Sequence, residues 1–254
     1  MSKKSNLKIS KPGVYILVGA AVLLLTGVLS YAFIVPKLTD KQADQTASQT
    51  EKKTNDAYAS IPSDKIQLIG SEVDVVWNLN DPYYFYNEVP VVALVHIDSI
   101  DGGRNYSPIF EQYVSPQTIG KMTVLEVYKG DVKSGQKLNY SRLGGIITTE
   151  DYMKGISKAE SDKINHLNNG KKAEGYVKTK VFDDIDIEVD KNYVVFLRPQ
   201  SSKDGKQKEY FMDGMQYGLR EAKGYTNGSD ANMTVLNNKT GVWESPSSLL
   251  KNKD

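Results

Sequence analysis

The chain has no cysteine among its 254 residues. This absence excludes disulfide bonds, thiolate metal sites and a cysteine nucleophile. Histidine is scarce too, since only His96 and His166 occur, and two scattered histidines do not favour a zinc site. The sequence also lacks the linear motifs of zinc proteases, serine hydrolases and nucleotide-binding proteins. We therefore assign no catalytic residue and expect no cofactor.

The chain also lacks an excess of positive or negative charge. The chain carries 32 basic and 31 acidic residues, for a net charge of +1. Nucleic-acid-binding proteins normally carry a basic excess or a basic stripe, so we expect no nucleic-acid partner. Tyrosine, in contrast, is abundant, with 16 residues against 6 phenylalanines. Tyrosine suits half-buried sheet surfaces, where the ring packs and the hydroxyl reaches water.

Residues 14–35 form a long apolar run without a charged side chain. As a helix this run spans roughly 33 Å at about 1.5 Å per residue, which matches a bilayer core of about 30 Å. Tyr15 and Tyr31 lie near its two ends, where interfacial aromatic residues are favoured. The run therefore predicts a single transmembrane helix that acts as a signal anchor.

Charge predicts the orientation of this helix. The basic residues that precede it, with no acidic residue among them, are Lys3, Lys4, Lys8 and Lys11. The positive-inside rule places residues 1–13 in the cytoplasm as a basic tail. The protein is then a single-pass protein of the cell membrane, with its C-terminal domain extracellular.

Cleavage of the apolar segment as a signal peptide is the alternative, and it would make the protein secreted. Ser30-Tyr31-Ala32 fits the small-x-small cleavage pattern, which gives a mature start at Phe33. The apolar run is, however, longer than the 7–15 residues typical of a signal peptide. Secreted eukaryotic domains usually carry disulfides, so an exported chain without cysteine indicates a bacterial source, which we expect to be Gram-positive. A domain large enough to need no crosslink is an equally open explanation.

Composition divides the remainder of the chain. Residues 36–60 have almost no apolar side chains, and they cannot bury enough surface to offset the entropy of ordering. We interpret them as a polar linker, followed by an extracellular β-rich domain over residues 61–254. Ser63 and Asp64 indicate a helix start, which predicts a short helix at 63–71.

Runs rich in β-branched residues, separated by turns that contain glycine, dominate this domain. Such runs predict strands, at residues 89–97, 118–128, 136–142, 193–197 and 209–212. Residues 149–169 predict an inserted helix, and residues 215–219 predict a strand that pairs with 209–212 across Asp213-Gly214. The predicted fold class is mainly β, a small antiparallel barrel or curled sheet with an inserted helix, preceded by one transmembrane helix.

Three segments in order support this architecture through a resemblance. They are Val91-Val-Ala-Leu-Val-His-Ile97, then Val124-Leu-Glu-Val-Tyr-Lys-Gly-Asp131 with Gly135-Gln-Lys-Leu138, and finally Lys191-Asn-Tyr-Val-Val-Phe-Leu197. Together they resemble an exported bacterial β domain of the OB-like type seen in netrin and TIMP inhibitor domains. The resemblance covers roughly residues 88 to 220 and departs from the pattern at Asp190-Lys191, where a glycine is expected. It implies a small barrel and carries no catalytic residue.

Two sets of side chains are candidate sites. An aromatic loop contains Tyr83, Tyr84 and Tyr86, and exposed tyrosines suit protein or glycan contact, although the rings would also serve to cover the end of the barrel. An acidic stretch contains Asp184, Asp186 and Glu188, which share one face if the segment is a strand. Calcium prefers clustered oxygens, but a strand spaces these carboxylates about 6.6 Å apart, so a solvated strand face is the simpler interpretation.

The functional hypothesis is a non-enzymatic binding or interaction module, held at the cell surface by its membrane anchor. Its partner would be another envelope protein, a peptide or a cell-wall polymer. The alternative is an exported hydrolase whose carboxylates are brought together by the fold, since such pairs leave no linear motif. A purely structural component of an envelope complex is a further possibility that the sequence does not separate from the first.

Overall fold

The structure is a computed structural model that describes residues 55–72, 74–167, 174–226 and 228–251. The predicted cytoplasmic tail, the predicted transmembrane helix and most of the predicted linker lie outside these ranges. Within the described ranges, no helix is both long and apolar enough to cross a membrane.

The described residues are mainly β, with 47% in strands and 16% in helices, which confirms the predicted class. The strands are β1 Ile66–Ser71, β2 Val91–Ser107, β3 Gln112–Lys129, β4 Lys137–Leu143, β5 Gly145–Thr148, β6 Tyr176–Val181, β7 Asn192–Ser201, β8 Lys208–Met212, β9 Leu219–Lys223, β10 Thr234–Asn237 and β11 Val242–Glu244. The helices are α1 Tyr84–Glu88, α2 Thr149–Gly155, α3 Lys158–Leu167 and α4 Met215–Gly218.

Eight of the strands form one sheet, in the order β11-β10-β9-β7-β2-β3-β4-β8. β7 also pairs with β8, so the strands β7, β2, β3, β4 and β8 are hydrogen-bonded around a ring. Neighbouring strands of the ring are antiparallel except β4 and β8, which are parallel. The sheet is therefore partly ring-like, with β9, β10 and β11 continuing outward from β7.

A second sheet has three strands in the order β1-β6-β5. β1 and β6 are parallel, whereas β5 and β6 are antiparallel. β5 follows β4 after a single residue, Gly144, so the small sheet begins where the fourth strand of the chain leaves the ring.

Alternation along β2 explains how the ring is packed on both of its faces. Val91, Ala93 and Val95 belong to a buried cluster to which all five ring strands contribute, as expected for the ring interior. Val92 and Leu94 belong to a second cluster, which they form with residues of β7, β9, β10 and the C-terminal segment. Since side chains alternate between the two faces of a strand, the uninterrupted apolar run of β2 satisfies both clusters.

The β2–β3 hairpin bends strongly, because its register shifts at five places. Gly120 lies at the tightest approach, where an added Cβ would be 2.1 Å from the carbonyl oxygen of Ser99 and 2.7 Å from the Tyr140 hydroxyl. Only glycine fits so close to a neighbouring backbone. Bulges and glycines of this kind let a sheet curl enough to close.

Two ion pairs with little solvent exposure involve strands of the ring. Arg104 of β2 bonds Glu209 of β8 at 2.5 Å, and Glu209 also accepts from Ser141 of β4. Arg142 of β4 bonds Asp184 at 2.5 Å, with side chains only 7% and 4% exposed. The first pair connects three ring strands. The second ties the ring to the segment that follows β6.

Three sequence predictions meet a different local structure. Residues 63–71 form a 3₁₀ turn at Ser63–Lys65 and then β1, because pairing with β6 along its whole length outweighs the local helix-start signal. Residues 215–219 do not pair with β8, since both edges of β8 are already occupied by β4 and β7. They form α4 and the start of β9, which pairs with β7 and β10.

The third difference concerns the end of the predicted linker. Asn55 and Ala57 exchange backbone hydrogen bonds with Ile100, at 2.8 and 2.9 Å. The Tyr58 hydroxyl donates to Thr118 Oγ1 at 3.2 Å and accepts from the Ile146 amide at 3.2 Å. These residues therefore contact the ring rather than leading up to it.

We expect Asp184→Asn to destabilise the domain by about 3 kcal/mol, because it leaves the buried Arg142 without its counter-charge. Urea unfolding of the full-length protein, followed by tryptophan fluorescence, measures this. The matched control is Asp162→Asn, which breaks the exposed Lys158–Asp162 pair and should change the unfolding midpoint little. Equal effects of the two variants would contradict the assigned role of the Arg142–Asp184 pair.

Candidate functional site

The outer part of the β2–β3 hairpin, residues 98–117, extends beyond the positions that pair with β7 and β4. Tyr106 and Tyr113 are cross-strand partners there, with ring centroids 5.5 Å apart in an edge-to-face arrangement. They are 45% and 48% exposed, and Phe110 in the connecting turn is 51% exposed. Aromatic contact holds the two tyrosine rings in place, while about half of each ring remains open to solvent.

A cleft of about 440 Å³ lies between this hairpin and the three-stranded sheet. The hairpin wall comprises Asn105 and residues 113–116, and α2 contributes Tyr152, Gly155 and Ile156. We call this space the hairpin cleft. Its volume falls within the range of about 300–1,000 Å³ that small-molecule sites occupy.

The opposite wall of the hairpin cleft is one face of the small sheet. Ile69 pairs with Thr179 and Ser71 pairs with Val181, so these four side chains share a face, and all four line the cleft. The β5 partner of Thr179 is Gly145. At the neighbouring Gly144, with φ of +83°, an added Cβ would lie 3.0 Å from the Thr179 carbonyl oxygen. Gly144, which lines the cleft, therefore helps to keep it open.

Helix α2 is fixed against the hairpin by its own cap and by one long-range bond. Thr148 Oγ1 accepts from the Asp151 amide at 3.1 Å and donates to the Asp151 carboxylate at 2.8 Å, which caps the first turn. The Lys154 hydrogen bond, with help from Thr148, lowers the pKa of Asp151. Buried Asn105 donates to the Asp151 carbonyl oxygen at 2.5 Å. Tyr152 is thereby positioned in the cleft, where burial raises the pKa of its hydroxyl.

Thr179 is the polar group of the cleft that the protein leaves unsatisfied. Its Oγ1 atom is buried and has no hydrogen-bond partner among the described residues. A buried hydroxyl without a partner costs about 1–3 kcal/mol relative to one that is bonded. Because this oxygen has almost no accessible surface, a ligand in the cleft does not reach it.

A smaller cavity of about 190 Å³ adjoins the hairpin cleft, and the two share Leu143, Gly144, Thr179 and Lys180 in their linings. The smaller cavity contains the Arg142–Asp184 pair together with Lys178 and Asp186. Tyr58 closes it from the N-terminal side, and burial raises the pKa of its hydroxyl despite two hydrogen bonds that lower it. Its charged groups are thus paired with one another, apart from Asp56, whose carboxylate accepts from the Tyr58 amide.

The structure disperses the three acidic residues predicted to bind metal. β6 ends at Val181, so residues 182–191 are not a strand and the carboxylates do not form a row. Asp184 bonds Arg142, Asp186 lies 2.7 Å from Lys178 and 3.7 Å from Lys180, and Glu188 lies 2.9 Å from Lys191. Within the described ranges no cluster of three or more carboxylate or histidine side chains could hold a metal ion.

The pKa of Asp186 depends on its burial and on these basic neighbours. Burial by itself would raise the pKa of this carboxyl, but the Lys178 hydrogen bond and the charges of Lys178, Lys180 and Arg142 outweigh it. The net pKa lies below the ordinary value for aspartate. Asp186 is therefore an ionised partner of the two lysines at neutral pH, which does not suit the role of a general acid.

The predicted aromatic loop contributes mainly to packing. Tyr83 donates from its hydroxyl to the Ser247 carbonyl oxygen at 3.1 Å, and Tyr86 donates to the Tyr128 carbonyl oxygen at 3.0 Å. Tyr84 contacts Phe85 edge to face at 5.3 Å, and all three tyrosines are half-buried. Tyr83 thereby attaches the C-terminal segment to this loop, and Tyr86 attaches β3 to it. Their proposed binding role stays a prediction.

The binding candidates that the sequence did not reveal are Tyr106, Phe110 and Tyr113. They lie between two predicted strands, at 89–97 and 118–128, and the sequence offered no reason to extend these strands toward each other. The structure does so through Ser107 and Gln112, which pair across the turn. If the hairpin had been recognised in the sequence, Tyr106 would have been predicted to lie opposite Tyr113, because the register of a hairpin fixes its cross-strand partners.

No protein-family model, no curated protein and no solved structure matches this chain. The function must therefore be inferred from the geometry of its own residues.

We expect Thr179→Val to leave the free protein as stable as the original or up to about 1 kcal/mol more stable, because it removes a buried hydroxyl without a partner. The matched control is Thr118→Val, since Thr118 Oγ1 donates to the Gly144 carbonyl oxygen at 2.9 Å and accepts from Tyr58. This control should cost about 1–2 kcal/mol. Urea unfolding compares the two, and a larger loss for Thr179→Val would contradict the assignment of an unsatisfied hydroxyl.

Proposed function

We propose that the protein is a non-enzymatic binding module that a single N-terminal helix tethers to the outer face of a cell membrane, and that the hairpin cleft is its ligand site. The observation that carries the binding role is a cleft of ligand size that ends in an exposed tyrosine pair. Monomeric proteins rarely expose aromatic groups together unless they contact something. The partner is an envelope component, namely another protein, a peptide or a cell-wall polymer.

The tether rests on the sequence. An uncharged run at residues 14–35, preceded by four lysines, has the length and the flank of a helix that crosses once with its N-terminus inside. The cysteine-free composition supports an exported bacterial protein. A binding domain held at the cell surface in this way meets its partner at high effective concentration.

We further propose that the ring is an OB-like barrel. The supporting observations are that five strands are paired in a closed order, that β4–β8 is the one parallel pair within the ring, and that the helices α2 and α3 lie between β4 and β7 in the chain. An OB-like barrel is a five-stranded, partly open barrel that takes many ligands through its loops. The fold alone therefore does not specify a function.

The tether predicts that the protein in the membrane fraction keeps its first residues. Intact-mass measurement of the protein extracted from membranes should give the full chain of 254 residues, allowing for loss of the initiator methionine, because the apolar run is too long for a typical signal peptide. A mature protein that begins at Phe33 and is found in the medium would overturn the tether.

The binding role predicts that Tyr113→Ala weakens attachment to the envelope by about tenfold, as the loss of one central aromatic contact does. Co-sedimentation of full-length protein in detergent with envelope fragments of the producing bacterium measures this. Tyr113 is 48% exposed, so the variant should unfold at nearly the same urea concentration as the original.

Tyr84→Ala is the matched aromatic control, because it tests the loop that the sequence favoured. We expect it to keep the affinity of the original protein. Loss of binding in Tyr84→Ala together with retention in Tyr113→Ala would move the site to the aromatic loop, and retention in both would remove the binding role from both surfaces.

A further inference from the structure

The lining of the hairpin cleft is almost entirely uncharged. Its polar groups are hydroxyls and an amide, contributed by Ser71, Asn105, Ser115, Tyr152 and Thr179. Lys180 is the one charged side chain among the described residues that line it, and its ammonium lies 3.7 Å from the Asp186 carboxylate. A strongly charged ligand would lose its hydration there without gaining a counter-charge. The chemistry therefore favours a neutral ligand that carries several hydroxyl or amide groups.

The aromatic side chains add a second requirement. Tyr113 belongs both to the cleft and to the exposed pair with Tyr106, so the aromatic surface begins inside the cleft and continues outside it. An aromatic face carries partial negative charge and attracts polarised C–H groups. A ligand that fits must therefore present C–H groups on one face and hydroxyls on its edges, and it must extend over more than one ring.

Backbone geometry argues against an extended peptide in this position. Peptides that bind to sheets usually add a strand at an open edge, where main-chain groups are free. The cleft wall is instead a sheet face, and the backbone of β6 behind it is already paired with β1 on one side and β5 on the other. A peptide lying in the cleft would find side chains but no main-chain partners on that wall.

We propose that the ligand of the hairpin cleft is a neutral saccharide chain, with one sugar unit in the cleft beside Tyr152 and the next unit over the Tyr106–Tyr113 pair. A pyranose ring has the required form, because its C–H groups lie on its faces and its hydroxyls lie around its rim. This inference rests on the proposed binding function and names the class of ligand within it.

The direct test is isothermal titration calorimetry of the full-length protein in detergent with two neutral tetrasaccharides, tetra-N-acetylchitotetraose and maltotetraose. We expect at least one of them to bind. Tyr106→Ala should weaken that binding by about tenfold, and Tyr152→Phe by about fivefold, as the loss of one hydrogen bond does. Phe182→Ala is the matched aromatic control, because Phe182 is 55% exposed and does not line the cleft, and it should leave the affinity unchanged. Binding that none of the cleft variants weakens would overturn the proposal.

A competition experiment separates this proposal from the function on which it rests. The saccharide that binds should displace the protein from envelope fragments, whereas an uncharged octapeptide of alanine and glutamine should not. If Tyr113→Ala abolishes envelope binding while neither tetrasaccharide binds or competes, the saccharide assignment fails and the binding module stands. If Tyr113→Ala leaves envelope binding intact, the cleft is not the site and both proposals fail.

Discussion

Closure of the five-stranded ring by β8 is the constraint on which the rest of the structure depends. β8 is short, yet it pairs with β4 on one edge and with β7 on the other. Glu209 at its start is buried and receives hydrogen bonds from Arg104 and Ser141 on two other strands. A buried carboxylate is tolerated only where such partners replace its lost hydration, so this network specifies which strands meet at the seam.

The candidate site is a consequence of how the closed ring of strands is built. Because β2 and β3 are both longer than the strands they pair with in the ring, their outer part projects as a hairpin with one side uncovered. The Arg142–Asp184 pair ties the ring to the segment that follows β6 and so holds the small sheet beside that hairpin. Gly144 lines the cleft between them and supplies no side chain to fill it.

Much of the ring was predictable from local pattern. The runs around Val91–Ile97, Val124–Tyr128 and Tyr193–Leu197 are dense in β-branched and aromatic residues, and each lies within an observed strand. The inserted helical region was predicted as well, although Ile156 interrupts it and separates α2 from α3. The strand at Ile66–Ser71 was missed, because its local signals are those of a helix start and only pairing with β6 makes it a strand.

The contacts of the predicted site residues could not be foreseen from the sequence, for a physical reason. Asp184 and Asp186 bond basic groups brought by β4 and β6, namely Arg142 and Lys178, whereas Glu188 bonds Lys191 three residues later in the same segment. Tyr83, Tyr84 and Tyr86 are conspicuous as a run, yet two of them donate hydrogen bonds to distant backbone carbonyls. Tyr106 and Tyr113 are seven residues apart across a turn and become a pair only when the hairpin forms.

Composition and periodicity by themselves determined that the described part of the chain is mainly β, because strand preference is a property of short runs of side chains. They also determined that cysteine chemistry is excluded, since that follows from the absence of one residue type. Tertiary structure alone decided that β8 closes the ring, that Asp184 and Asp186 are paired with basic groups of β4 and β6, and that an open cleft lies beside an exposed tyrosine pair. Each of these depends on contacts between residues far apart in the chain, and such contacts arise from packing that no local pattern encodes.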